Sequence, residues 1–240
     1  MSTWGITCDR YVAFCDIMGF KSLVQEHEGD YSGLHARLAK LHDTTSQAVA
    51  LAEQTWPTAT YAGHLRAVQF SDSIVLMTKD ASSVASLLIT LGSMLIFRQA
   101  LEYGLPLRGA IAVGRATADF ERSILFGQPI IDAYLLAEDQ QWYGVVQHPD
   151  MDVLPPEDDQ GDLQELGDDE MPLTETFLVP LKSCPEGKTL QVVNWPIVLD
   201  TSDRIEDLLR FLSHPESDKL SSYHRSTLDF ATATWSKYHK

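Results

Sequence analysis

Two aspartates, Asp16 and Asp72, stand where carboxylates are costly to place. Asp16 interrupts an apolar run, Tyr11 to Met18, that is rich in aromatic and β-branched residues and reads as a strand. An uncompensated carboxylate buried there costs several kcal/mol. Asp72 lies in Phe70-Ser71-Asp72-Ser73, between the runs Leu65–Gln69 and Ile74–Met77, the pattern of a hairpin. Two carboxylates brought to one end of a rigid sheet repel each other unless a cation lies between them. Hard divalent ions favour such oxygen ligands. With a nucleoside triphosphate, paired ions about 3.5–4 Å apart can activate an attacking hydroxyl and stabilise the leaving phosphate. Met18, Gly19 and Phe20 follow the first Asp and could present backbone N–H groups to phosphates, since glycine permits close approach. Plainer readings stand beside these. Asp72 could be a hairpin or capping residue, and Asp16 half of a salt bridge at the strand end.

The elements that must position these residues follow from periodicity. Leu34, Leu38, Leu41, Ala48, Val49 and Ala52 recur at helical spacing. A second long helix spans Ala81 to Glu102 and stops before Gly104 and Pro106. Leu107 to Val113 reads as a strand closed by Gly114. Gln128 to Asp139 reads as a helix with Pro129 in its first turn. Tyr143–Gln147, Phe177–Leu181 and Leu190–Trp195 read as strands, and Asp203–Leu212 and Ser217–Tyr238 as helices. The first half therefore runs strand, helix, hairpin, helix, strand. That order predicts an α+β fold, a ferredoxin-like βαββαβ domain with C-terminal strand and helix additions. In it the first strand and the hairpin are sheet neighbours, so Asp16 and Asp72 converge although they lie 56 positions apart.

The 240 residues suit one domain, with a core of about 8–148, an acidic insertion of about 149–171 and an elaboration over 172–240. There are 34 acidic and 18 basic side chains, a formal net charge of −16, which argues against a nucleic-acid-coating surface. Ten of the acids fall between Asp150 and Glu170, where there is no Lys or Arg. Without them 24 acids face 18 bases, a net of −6. The stretch also holds Pro155, Pro156 and Gly161 and reads as a solvated insertion. Cys8, Cys15 and Cys184 make an odd number without metal-ligand spacing, which favours a reducing compartment, the cytoplasm. The first ten residues lack a signal-peptide pattern, and no apolar stretch is long enough to span a membrane; Val84–Phe97 reads as a core helix. Eight histidines show no zinc-site spacing. Tyr223, Phe230, Trp235 and Tyr238 read as core or dimer contacts.

Phe14-Cys15-Asp16-Ile17-Met18-Gly19-Phe20 resembles the F-x-D-I-x-G-F signature of class III nucleotidyl cyclases. Asp72 falls where that family has its second metal-binding Asp. Leu107 to Gly114 looks like the family's L-R-x-G-I-x-x-G strand, and Phe126 to Ala133 resembles its W-G-x-x-V-N-x-A helix start. The departures concern the base and the transition state. The Lys that reads a purine falls at Val68, and its acidic partner at Ile124. The transition-state Asn and Arg fall at Ile131 and Leu135, or at Asp132 and Leu136 with a one-residue shift. With these departures the chain resembles the bacterial pyrimidine cyclases of Pycsar antiphage systems.

The resemblance implies a phosphorus–oxygen lyase that converts UTP to cyclic UMP, with cytidylate cyclase as an alternative. A purine cyclase or a non-catalytic nucleotide-binding module stands behind those. It implies two Mn²⁺ or Mg²⁺ ions bridged by Asp16 and Asp72, with the Ile17 carbonyl as a further ligand. Phe14, Met18, Gly19 and Phe20 would line the nucleotide. It implies a homodimer with active sites at the interface and a separate effector that senses the cyclic nucleotide. Arg108, Arg115, Lys182 and Lys188 are candidates for a transition-state cation, and Arg108 equally for a structural ion pair. Gln69 and Tyr134 are candidates for meeting the base.

Overall fold

A computed structural model describes residues 4–54, 63–152, 172–199, 203–210 and 218–239. Its centre is strand β1 (Thr7–Ile17), flanked by two antiparallel partners, β3 (Ser73–Thr78) and β4 (Leu107–Asp119). β2 (Leu65–Phe70) completes a hairpin with β3, and β5 (Ile124–Gly127) pairs with the far end of β4. Past β4 the sheet continues through β6 (Gly144–Gln147), which is parallel to β4. It ends in the hairpin of β7 (Thr174–Val179) and β8 (Lys188–Val193), with β8 beside β6. The path β2-β3-β1-β4-β6-β8-β7 is thus a mixed α+β sheet with the expected βαββαβ order in its first half.

Alternation along β1 separates two jobs. Ala13, Cys15 and Ile17 are buried in one cluster with Leu41 and Ala48 of α2 (Ser32–Gln54) and Ile89, Met94 and Phe97 of α3 (Ser83–Glu102). Val12, Phe14 and Asp16 point to the opposite face. There lies α4 (Gln128–Asp139), whose Ile130 packs into a second cluster with Val12 and Met77. Ala110, Ala112, Ala133 and Ala137 are fully or almost fully buried, and such small residues let helix and sheet approach closely. Ser82 caps α3 by accepting a hydrogen bond from the Ala85 N–H. By length and composition α3 could cross a membrane, but 67% of its apolar window is buried inside the protein, as a core helix would be.

Most expected elements appear within a few residues of their bounds, and α4 matches at both ends. Three differ. β4 does not close at Gly114 but runs to Asp119, because its second half pairs with Thr7–Arg10 and with β5. β5 itself is too short for a periodic signal. A short helix, α1 (Phe20–Glu26), starts directly after Gly19. The C-terminal hairpin and helices α5 (Asp203–Arg210) and α6 (Asp218–Tyr238) extend the fold, with Tyr223 and Phe230 of α6 buried in the core. Of the acidic stretch only residues up to Asp152 are described, in a 3₁₀ turn from Pro149 to Asp152. The ten-carboxylate insertion otherwise lies outside the described residues.

Candidate active site

Backbone pairing, not side-chain packing, brings the two aspartates to one place. Asp16 is the cross-strand partner of Ser73, and the Ile17 N–H donates to the Asp72 carbonyl at 2.9 Å. The intervening turn is tight, with Ser71 at φ 56° in the left-handed region. Both residues therefore sit at the C-terminal end of β1. Burial pushes the Asp16 carboxyl up to about 6, and the Asp72 charge adds to the rise. Arg108 and a hydrogen bond from Ser73 act in the opposite direction. Just beneath, burial and the Asp16 charge hold the Cys15 thiol up at about 12. All three cysteines are free.

Such a pair gains from a cation. Among the described residues no group of three or more His, Cys, Asp or Glu has the geometry of a metal site. The donor set is two carboxylates, which suits an ion of the Mg²⁺ type, commonly held by one or two carboxylates plus the phosphates of its substrate. The arrangement is thus compatible with a triphosphate-bound divalent ion and unlike a closed, all-protein metal cage.

Among the described residues, Arg108 supplies a cation beside the pair. It stands directly opposite Asp16 in the β1–β4 register, and its Nη2 lies 3.3 Å from Asp16 Oδ2. The same Nη2 pairs with Glu138 at the end of α4, and Nη1 donates to the Glu138 carbonyl at 3.3 Å. Lys182 donates to that carbonyl too, and its Nζ lies 3.9 Å from Glu138 Oε2. Arg115 is paired across from Asp9, seven residues back along β1, and Lys188 opens β8.

Sequence reasoning passed over Glu138. A signal existed. Ile130, Tyr134 and Glu138 recur every four residues, one per turn of α4, while Val12, Phe14 and Asp16 recur every two along β1. Four helical residues rise about 6 Å and two strand residues about 6.8 Å, so helix and strand keep step. Ile130 shares a cluster with Val12, and Tyr134 meets Phe14 edge-on, ring centroids 5.3 Å apart. Glu138 reaches Asp16 through Arg108.

Phe14 is half-buried on the site face under Tyr134. The Met18 N–H is already committed to the Pro106 carbonyl at 2.8 Å, so it is not open to a phosphate here. Gly19 takes φ 73° as the N-cap of α1, and a Cβ there would meet nothing within 4 Å among the described residues. The Gly19 and Phe20 amides open that helix, where N–H groups have no partner within the helix. Gln69 pairs with Ile74, and Ile74 with Cys15, which places Gln69 on the α2–α3 face rather than the site face. Among the described residues its Oε1 is buried without a hydrogen-bond partner. Val68, opposite Val75 and so in line with Phe14, holds the site-facing position. Ile124, Ile131 and Leu135 are exposed, and Asp132 accepts a hydrogen bond from Gln128.

No protein-family model matches the chain, and no curated protein does. Among solved structures it is similar to a class III adenylyl cyclase-like ATP-binding protein from Pseudomonas aeruginosa, with 16% identity and a TM-score of 0.44. The match covers 68% of this chain and 38% of that one.

Proposed function

We propose that the protein is a nucleotide cyclase of the class III type that converts UTP to 3′,5′-cyclic UMP and pyrophosphate. The observation that carries this reading is the convergence of Asp16 and Asp72 at one sheet end with Arg108 beside them. In the reaction the ribose 3′-oxygen bonds to the α-phosphorus. The bond from that phosphorus to the bridging oxygen of the β-phosphate breaks, and the hydroxyl proton leaves separately from pyrophosphate. Mn²⁺ or Mg²⁺ ions, two per site, would make the 3′-hydroxyl more acidic and offset charge on the leaving group. Asp16 and Asp72 would hold them, with the Ile17 carbonyl as a further ligand. The Gly19 and Phe20 amides would meet the triphosphate, and Arg108 would face the phosphoryl charge that builds during transfer.

Val68 supports a pyrimidine substrate. It occupies the site-facing position where the purine cyclases carry a base-reading Lys, and Ile124 replaces their acidic partner. CTP is the alternative within this reading.

Distances along β1 support a homodimer with shared sites. Phe126 of β5 pairs with Thr117, which pairs with Thr7, nine residues from Asp16. At about 3.4 Å per residue that is roughly 30 Å. The exposed apolar residues Ile124 and Phe126 thus lie far from their own Asp16, while Phe70, also exposed, adjoins it. A head-to-tail second copy would cover both surfaces. The product would act as a second messenger for a separate effector in antiphage defence, in the cytoplasm.

One observation favours a non-catalytic nucleotide-binding module instead. The Arg108 guanidinium gives Asp16 a counter-charge without any metal. Incubation of the purified protein with each of the four NTPs and Mn²⁺, followed by mass spectrometry, separates the readings. Cyclic UMP is expected. Cyclic AMP or GMP would move the protein to the purine cyclases, and nucleotide binding without any cyclic product would favour the module.

A further inference from the structure

Arg108 is held between two carboxylates, and its contacts are divided unequally. Glu138 takes a side-chain ion pair through Nη2 and a carbonyl bond from Nη1, whereas Asp16 receives one contact of 3.3 Å from Nη2. The Arg108 side chain is 10% exposed and the Asp16 side chain 18%, so neither is free to relax fully into water. A guanidinium left with one carboxylate commonly closes on it with two parallel N–H bonds. Those bonds would occupy the oxygens that a divalent ion needs.

We propose that Glu138 is a positioning residue that draws Arg108 toward α4 and keeps Asp16 open to the metal. This rests on the reading of Asp16 and Asp72 as divalent-ion ligands. Glu138 is suited to the task because it is itself fixed from the far side. Its carbonyl accepts from Lys182, and the adjacent Asp139 accepts from the Ser183 N–H at 2.8 Å. The next residue, Gln140, donates to the Gly109 carbonyl at 2.8 Å, one residue from Arg108. The end of α4 is therefore fastened both to β4 and to the segment leading from β7 to β8. The C-terminal elaboration gains a role in the site through this anchor.

The test is Mn²⁺ binding, read by calorimetry on the full chain without nucleotide. Glu138→Gln, nearly isosteric, should weaken Mn²⁺ binding on the order of tenfold. In an Arg108→Met background the same substitution should change nothing, because the competing guanidinium is gone. A plain loss of negative charge near the metal would instead cost the same in both backgrounds. Equal losses in the two backgrounds, or no loss in the first, would overturn the inference. Asp16→Asn serves as the separate control and should abolish tight Mn²⁺ binding. Unchanged binding in that variant would remove the metal reading itself, and the role of Glu138 with it. Circular dichroism on each variant confirms that binding is compared between folded proteins. Should Arg108→Met fail to fold, Arg108→Gln serves as the background for the same Mn²⁺ titrations, and equal losses from Glu138→Gln in the wild-type and Arg108→Gln backgrounds would overturn the inference.

Discussion

Asp16 and Arg108 face each other across the β1–β4 ladder, 3.3 Å apart, at the point where the chain also brings in Asp72. An opposite-charge pair directly across two strands ordinarily adds a little stability. Here burial and a second carboxylate more than cancel that gain, since Asp16 remains harder to ionise than a free aspartate. A sheet end that strains its own carboxylate is poor structural design and a suitable cation site.

Stability should carry the mark of that strain. The Asp16 carboxyl stands at about 6 in the folded protein against 3.8 for an ordinary aspartate. Its contribution is most favourable below the unfolded value and declines as pH rises through the folded one. Without metal, Asp16→Asn should therefore melt at a higher temperature than the wild type near neutral pH. The difference should shrink toward zero by about pH 4. A variant less stable than the wild type at neutral pH would show that the Arg108 pair outweighs burial.

The floor of the site is intolerant of added volume. A Cβ on Gly109 would fall 2.7 Å from Cys15 Sγ and 2.8 Å from the Phe14 carbonyl oxygen, a backbone atom that cannot step aside. Gly109→Ala should cost about 1–3 kcal/mol, measured by urea unfolding. It should also weaken Mn²⁺ binding, since Asp16 adjoins the displaced strand segment. Unfolding like that of the wild type would mean that β1 and β4 separate more readily than their pairing implies.

Base selectivity should depend on strand parity. Val68 faces the site and Gln69 the helices, so Gln69→Leu should leave the ratio of UTP to ATP turnover unchanged. Val68→Lys should shift that ratio. Competition kinetics with both nucleotides measures it, and a large effect from Gln69→Leu alone would place the base elsewhere.

Assembly provides a separate test. Phe126→Asp puts a charge on the exposed apolar surface of β5. It should convert a dimer to a monomer in light scattering and abolish turnover, while Mn²⁺ binding by Asp16 and Asp72 persists. A wild-type protein that turns over as a monomer would contradict the shared site.

Much of this was legible in the sequence, for reasons that differ by element. β1 announced itself because a single Asp broke an otherwise apolar run. α4 was bounded by Pro129 at its start and the loss of periodicity at its end. The adjacency of Asp16 and Asp72 followed from topology, since a hairpin after a βα unit pairs back on the first strand. β5 escaped because four residues carry no period, and its turn depends on Asp119 accepting from the Arg122 N–H. The run of β4 past Gly114 escaped because glycine reads as a stop, whereas here it pairs with Arg10 inside the ladder. Glu138 escaped for a deeper reason. Its role exists only when α4 lies along β1 in step, and the matching four-residue and two-residue spacings reveal that alignment only once the two elements are set side by side.

The most direct measurement sets the wild type beside Asp16→Ala and Asp72→Ala with UTP and Mn²⁺, with products identified by mass spectrometry. The wild type should form cyclic UMP and pyrophosphate in equal amounts, and each variant should remain folded and form neither. Cyclic UMP from either variant at the wild-type rate would contradict the two-carboxylate site.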